Sequence, residues 1–223
     1  MRRMAWLYAL LAVVVLAAAG LTLAQSGGAA ATSEVALPAP DTVGKMPLEQ
    51  TLLKRRAVRA FAEGALTQQQ LGQLCWAAQG ITDPATGHRT APSAMATYPI
   101  DLYLFTPSGV FLYVPKGHKL TQLSAEDKRA QVSSQKSVST AAVDFVMVAV
   151  LSRLGTRSGP NAERFAAIEA GHIGQNLHLE AVALGLGSVS VGGFQGADVT
   201  KALSLPEGQI PMYVIPVGKL AAK

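Results

Sequence analysis

Cysteine and charge are scarce in this chain, and each shortage excludes a class of protein. The single cysteine, Cys75, excludes an intrachain disulfide and a metal site built from several cysteines. Charged residues fill only 15% of the 223 positions and hydrophobic residues fill 49%, a balance that excludes a disordered tail or a coiled coil. The formal net charge of +5 is spread along the chain, so we expect no nucleic-acid-binding surface.

An uncharged stretch rich in Leu, Val and Ala, residues 4–24, follows Arg2 and Arg3 and predicts an export signal. Small residues at Thr22 and Ala24 match the −3 and −1 positions of a cleavage site. About 20 apolar residues are also enough for a retained membrane anchor. We therefore expect residues 1–24 to be a signal peptide or an N-terminal anchor, and the rest of the protein to be periplasmic or secreted.

Residues 25–47 have the composition of a flexible linker. The segment is rich in Gly, Ala and Ser and then contains Leu37-Pro38-Ala39-Pro40. The folded domain is expected over residues 48–223.

Apolar periodicity in this domain predicts both helices and strands. Helices are predicted after Pro47, from Thr67 (with Gln70, in capping-box form) to Gly80, from Ser124 (with Asp127), over Asn161–Leu184 and over Asp198–Leu203. Strands are predicted at Ile100–Phe105 and Val110–Val114, as a hairpin, then at Ala142–Leu151, Ser188–Val191 and Met212–Val217, with a long loop at residues 81–99. The mixture predicts an α+β fold, in which helices flank a mainly antiparallel sheet.

The predicted helix Asn161–Leu184 is apolar on two sides. One stripe contains Phe165, Ile168, His172, Gln175, Leu179 and Val182, and a second contains Ile173, Leu177, Ala181 and Leu184. Such a helix belongs in a core or at a subunit interface.

Familiar catalytic and metal-binding motifs do not occur. The histidines His88, His118, His172 and His178 have no metal-ligand spacing, and Ser93 is not in a G-x-S-x-G sequence, so we expect no metal and assign no catalytic side chain. Two features remain. The first is a basic segment, Arg55-Arg56-Ala57-Val58-Arg59, which either binds a phosphate through charge-assisted hydrogen bonds or forms a solvated basic face at a helix end. Gly192-Gly193 lets a flat ligand approach the backbone or forms an ordinary turn.

Taken in order, these segments resemble the nitroreductase family of FMN flavoproteins, and most closely its azoline-oxidase-like branch. The matching sequences are residues 55–59, 74–82, 89–94, 98–103, 171–177, 184–194 and 216–218. The resemblance covers about residues 48–219, and it implies a homodimer with two FMN molecules in its interface.

The resemblance also implies a role for individual residues. Arg55, Arg56 and the backbone of Ala57 would hold the FMN phosphate, with Lys219 as a further basic group. Arg59 would lie beside flavin N1 and O2, where a cation stabilises the anionic reduced flavin. Pro92, Ser93, Ala94 and Met95 would lie along the flavin of the other subunit, and Gly192 and Gly193 would approach N5. Many relatives have a serine at the position of Ala57 and an acidic residue at that of Gly192, so this chain departs from the family at both.

The implied function is an exported FMN-dependent oxidoreductase that transfers hydride through N5 in a ping-pong cycle. Nicotinamide cofactors are scarce outside the cytoplasm, so substrate dehydrogenation or a redox partner is favoured as the electron source. A non-catalytic flavin- or small-ligand-binding module is the alternative, and a carrier of apolar ligands without flavin is a third possibility.

Overall fold

A computed structural model describes residues 33–221, and an eight-stranded sheet lies at its centre. The strands are β1 (Glu34–Ala36), β2 (Phe61–Ala62), β3 (Ile81–Asp83), β4 (His88–Arg89), β5 (Ile100–Thr106), β6 (Gly109–Val114), β7 (Lys119–Ser124), β8 (Val143–Val150), β9 (Leu186–Ser188) and β10 (Gln209–Leu220). The sheet has the order β1-β7-β6-β5-β8-β10-β2 with β9 also on β10, and β3 and β4 form a separate hairpin. All of these strand pairings are antiparallel.

Helices cover both faces of the sheet. They are α1 (Leu48–Lys54), α2 (Gln68–Gln79), α3 (Arg129–Val132), α4 (Lys136–Ser139), α5 (Ala162–Ala183) and α6 (Gly196–Leu203). Buried residues of α2 and α5 share one hydrophobic cluster with the sheet, and buried residues of α3, α4 and α6 share a second cluster. The predicted α+β architecture is therefore confirmed.

Strand β8 lies between β5 and β10 and is buried on both faces. Phe145 and Met147 point into the cluster that contains α2 and α5, whereas Val146 and Val148 point into the other. Successive side chains of a strand alternate between faces, so only a continuous apolar run can fill both clusters. The strand predicted at Ala142–Leu151 is therefore confirmed as β8.

Helix α5 confirms the predicted long helix, but its two apolar stripes have different environments. The stripe of Ile173, Leu177 and Ala181 is fully buried against the sheet. At Gly174 an added Cβ would lie only 2.8 Å from Tyr213 of β10, which explains the glycine at this contact. The other stripe is less buried: its Phe165 packs against the same cluster, whereas its Ile168 is 49% exposed in the single chain.

Three predicted elements differ from the structure. The strand predicted at Ser188–Val191 is β9 at Leu186–Ser188, and Val191 forms an isolated bridge with Val214. Residues 81–99 are not a structureless loop, because they contain the β3–β4 hairpin and a 3-10 turn over Ala94–Ala96. Ser124 does not begin a helix: it ends β7, and its hydroxyl accepts from the amide of Glu126. The next carboxylate, Asp127, accepts from the amide of Arg129, where the short helix α3 begins.

The segment predicted as a linker, residues 25–47, is part of the fold where the structure describes it. Glu34–Ala36 pair with β7 at the edge of the sheet. Further along, the amide of Asp41 donates to the buried Gln73 of α2 at 2.8 Å. Composition alone missed this docking because the hydrogen-bond partners lie on β7 and α2, far away in sequence.

The predicted signal peptide or anchor at residues 1–24 lies outside the described residues. Between residues 33 and 221, no helix combines the length and the apolarity needed to cross a bilayer.

Candidate functional site

The basic segment after α1 crosses the edge of the sheet at β9. Arg55 leaves the helical conformation, Ala57 forms a parallel bridge with Ser188, and the amide of Val58 donates to the carbonyl of Ser188 at 2.9 Å. Val58 then lies over Gly187, where an added Cβ would be 2.7 Å from the valine side chain.

The crossing continues over β10. Phe61 lies over Gly218, with 2.8 Å to an added Cβ, and Gly218 is the cross-strand partner of Gly187. Two paired glycines therefore allow the segment to lie directly on the β9–β10 ladder.

Lys219 of β10 lies at the same end of the sheet. It pairs with Leu186 of β9 on one side and with Ala62 of β2 on the other. Its Nζ would be 2.9 Å from a Cβ added to Gly64, so the lysine side chain extends over that glycine. The salt bridges formed within residues 33–221 involve none of Arg55, Arg56, Arg59 or Lys219.

Arg56 has a contact of its own with the end of α1. Its Nη1 donates to the carbonyls of Leu53, at 2.9 Å, and of Arg55, at 2.7 Å. These carbonyls lie at the negative end of the helix dipole, so this arginine caps the helix, as the basic-face interpretation predicts. A guanidinium has five N–H donors, which leaves others of Arg56 for a ligand.

Gly192 and Gly193 follow β9, after Val191 has formed an isolated bridge with Val214. A Cβ added at Gly192 would meet nothing within 4 Å, so the backbone here is open to a ligand. Gln135, at the start of α4, donates from Nε2 to the carbonyl of Gly193 at 3.0 Å. The sequence motifs did not identify Gln135, whose place beside Gly193 depends on a contact across 58 residues.

A buried histidine that the sequence analysis did not select lies behind this backbone. His178 of α5 joins two hydroxyls: its Nδ1 is 2.8 Å from Ser188 Oγ, and its Nε2 is 2.8 Å from Ser190 Oγ. Burial, with a smaller effect of the positive charge of Arg55, lowers the pKa of His178 from 6.5 to about 4. The imidazole is therefore neutral at pH 7. Its spacing from the buried Gly174 and Ala181 was the available signal that His178 lies on the inner face of α5.

The segment Pro92–Met95 lies near the opposite end of α5. Pro92, Ser93 and Ala94 line a cavity of about 200 Å³ together with Phe165, Ile168, Glu169 and His172. Glu169 precedes His178 by nine residues, which is about 13 Å along a helix axis. One chain therefore does not bring Pro92–Met95 together with the residues around His178.

A hydrogen-bonded network holds this second region in place. Gln79 donates to Glu169 Oε1 at 3.1 Å, and Arg89 donates to Gln79 Oε1 at 3.2 Å. The guanidinium of Arg89 also lies 4.3 Å from the centre of the Tyr98 ring. Burial raises the pKa of Glu169, whose Oε2 has no hydrogen-bond partner among the described residues.

Comparison with known proteins identifies the fold. The model of the nitroreductase family matches residues 52–219. A protein of Methanocaldococcus jannaschii, provisionally named a nitroreductase, is 32% identical over 198 residues, which are 84% of this chain and 97% of that protein. This chain belongs to the nitroreductase family.

Solved structures agree with this membership. A provisionally named nitroreductase from Ralstonia eutropha has a TM-score of 0.81 and 34% identity, over 85% of this chain and 90% of its own. The NADPH:FMN oxidoreductase of Vibrio harveyi, complexed with NAD+, has a TM-score of 0.59 and 22% identity over 78% of this chain and 69% of its own, and so it shares the fold. Together, the comparisons support a flavin-dependent oxidoreductase.

Proposed function

We propose that the protein is an FMN-dependent oxidoreductase that transfers hydride through flavin N5 in a ping-pong cycle. Bound FMN would supply the two-electron chemistry, so the protein has only to bind, orient and shield the reactants. The proposal rests chiefly on one observation: within the nitroreductase fold, a basic segment that forms no salt bridge among residues 33–221 is held on Ser188, and an open glycine backbone begins four residues after that serine.

The residues at this end of the sheet fit a flat, anionic cofactor. Arg55, Arg56 and Lys219 would bind the phosphate through charge-assisted hydrogen bonds, and the amide of Ala57 would contribute a backbone donor. Arg59 would face N1 and O2 of the flavin, and the bare backbone of Gly192 and Gly193 would lie next to N5. Ala57 has no hydroxyl, so the phosphate would rely on the basic groups more than in relatives with a serine there.

We further propose that the site is completed by a second copy of the chain. Pro92–Met95 would lie along the flavin held by the partner, in agreement with the contact of this segment with the Glu169 region of α5, about 13 Å along the helix axis from His178. The less buried stripe of α5 and the exposed Leu48, Leu52 and Leu53 of α1 provide apolar surface for such an interface. The protein would then be a homodimer with two shared sites.

We also propose placement in the azoline-oxidase-like branch, on the strength of the motifs quoted above, and export by the segment at residues 1–24. An exported enzyme would exchange electrons with a small-molecule substrate or a redox partner rather than with NAD(P)H. Sequencing the N-terminus of the mature protein tests export: a start near Gln25 is expected, and full-length protein in the cytoplasm contradicts it.

Flavin titration tests the cofactor assignment. FMN should bind to the purified protein, and Arg55→Ala should weaken FMN binding about 10- to 150-fold, because a charge-assisted hydrogen bond contributes about 1.5–3 kcal/mol. Riboflavin has no phosphate and should bind both proteins equally. Arg157→Ala, which removes an exposed arginine from a 3-10 turn, is the matched control. A protein that binds neither flavin would reject the proposal.

A non-catalytic flavin-binding module is the second candidate. Ala57, Gly192 and the engagement of Arg56 with α1 favour it, since each removes or occupies a group that could act on the cofactor. Photoreduction of the bound flavin separates the two candidates. An enzyme should be reoxidised at a rate that depends on the acceptor supplied, whereas an inert module should react equally slowly with all acceptors.

A further inference from the structure

The two hydrogen bonds of His178, to Ser188 and to Ser190, determine which nitrogen of its ring carries the proton. A neutral imidazole has one N–H donor and one acceptor nitrogen, so one serine must receive a proton from the ring and the other must donate one to it. The surroundings of Ser188 and Ser190 decide which serine donates to the ring and which accepts from it.

Ser188 is only 3% exposed, and within the described residues the sole hydrogen bond of its hydroxyl is to His178 Nδ1. If Nδ1 carried the proton, Ser188 would have to accept, and its own O–H would be a buried donor without an acceptor. A buried donor without an acceptor is unfavourable, because it has lost its hydrogen bonds to water without replacing them. The lower-energy arrangement has Ser188 donating to Nδ1, which places the ring proton on Nε2.

Ser190 then accepts from Nε2–H, and its own O–H has no acceptor among residues 33–221. Unlike Ser188, Ser190 is exposed. It lies two residues after Ser188, whose carbonyl holds the basic segment through Val58, and two residues before the open backbone of Gly192. The free hydroxyl donor therefore belongs to the candidate flavin site.

We infer that His178, as the Nε2–H tautomer, orients Ser190 to donate a hydrogen bond to an acceptor atom on the isoalloxazine or ribityl part of the flavin. This inference rests on the proposed function. The partner of Ser190 is assigned to the ring side of the cofactor rather than to the phosphate, because Ser190 lies between Ser188 and Gly192, and Gly192 is proposed to lie next to N5. Ser190 would contact the cofactor, and His178 would be a positioning residue.

The tautomer can be tested without any flavin. Long-range ¹H–¹⁵N correlation spectra of the full chain with ¹⁵N-labelled histidine distinguish Nδ1–H from Nε2–H, and His178→Gln identifies the signals of His178. We expect the Nε2–H tautomer. Finding the proton on Nδ1 would overturn the inference.

Binding tests the role of Ser190. Ser190→Ala should weaken FMN and riboflavin alike, by about 3- to 10-fold, because it removes one neutral hydrogen bond. His178→Phe should have the same effect, whereas His178→Gln should restore binding because its side-chain amide offers an N–H near the position of Nε2. Ser152→Ala, at an exposed serine in a 3-10 turn, is the control.

Each result has a distinct meaning. An effect of Ser190→Ala on FMN alone would assign the hydroxyl to the phosphate and overturn the ring-side placement. Unchanged binding of both flavins by Ser190→Ala would reject this inference while the proposed function stands. Wild-type protein that binds neither flavin would reject the proposed function itself.

Discussion

Arg55, Arg56 and Arg59 lie within five consecutive positions, yet the structure gives them different surroundings. Arg56 binds carbonyls at the end of α1, the charge of Arg55 acts on His178, and Arg59 is exposed on the segment that crosses β9 and β10. The sequence shows a cluster of charge, but it does not show that the three guanidinium groups face different partners.

Arg59→Ala should lower the midpoint potential of the bound flavin. If Arg59 faces N1 and O2, its charge stabilises the reduced anion more than the oxidised ring, and linkage converts that difference into potential. A loss of about 1.4 kcal/mol corresponds to roughly 30 mV for two electrons. Potentiometric titration measures the shift, with Arg157→Ala as control. An unchanged potential with FMN still bound would show that Arg59 lies elsewhere.

His178 should make the protein less stable in mild acid. Its pKa is about 4 in the folded chain and near 6.5 when exposed, so between these values the unfolded chain binds more protons and unfolding becomes easier as the pH falls. The full contribution is present above pH 6.5, and up to about 3 kcal/mol is lost by pH 4. Urea unfolding of wild type and His178→Gln across this range isolates the contribution. Parallel pH profiles for the two proteins would contradict it.

Among the elements, those with a strong local pattern were predicted well. Strand β8 has a continuous apolar run and α5 has two apolar stripes, so burial could be inferred without knowing the neighbours. Strands β1 and β7 were missed. The polar sequence of β7 becomes a strand because it pairs with β6 and β1, and within the described part of the chain the three residues of β1 pair with β7 alone.

The capping box predicted from Thr67 and Gln70 is present at the start of α2. Thr67 Oγ1 accepts from the amide of Gln70 at 3.1 Å, and Gln70 Oε1 accepts from the amide of Thr67 at 3.0 Å. Thr67→Ala should lower the free energy of unfolding by about 1 kcal/mol, because it leaves a helix donor without its cap. Denaturant titration measures this, and Gln68→Ala in the same turn should change stability by less than about 0.5 kcal/mol. Equal losses for both variants would show that the capping box is not the cause.

At the scale of the whole molecule, the outward apolar surface of α1 and α5 is the feature that one chain does not explain. Leu53 is 64% exposed and Ile168 is 49% exposed, on two helices that contact each other. The sequence predicted that α5 is apolar on two sides but did not separate core from interface. The structure assigns one stripe to the core and leaves Ile168, His172 and Gln175 of the other exposed.

Light scattering should give about twice the mass of one chain for the wild type. Ile168→Glu and Leu53→Glu should shift the protein toward monomer, because each would place a carboxylate in an apolar contact. Leu123→Glu, at an exposed leucine of β7, should leave the dimer intact. A wild-type monomer that binds flavin would contradict both the dimer and the shared site.

The separation of Glu169 from His178 along α5 also makes subunit complementation possible. His178 and Glu169, which lines a cavity with Pro92–Ala94, lie about 13 Å apart along the axis of α5, so damage to either region should inactivate a different half of each shared site. In a mixed dimer of one chain with Arg55→Ala and one with a disrupted Pro92–Met95 segment, both defects fall in one site and the other site is wild type. Such a heterodimer should bind one FMN with wild-type affinity, although each parent homodimer has two damaged sites. If the segment served its own chain's flavin, no site in the mixed dimer would be intact, so stoichiometric titration separates the two arrangements.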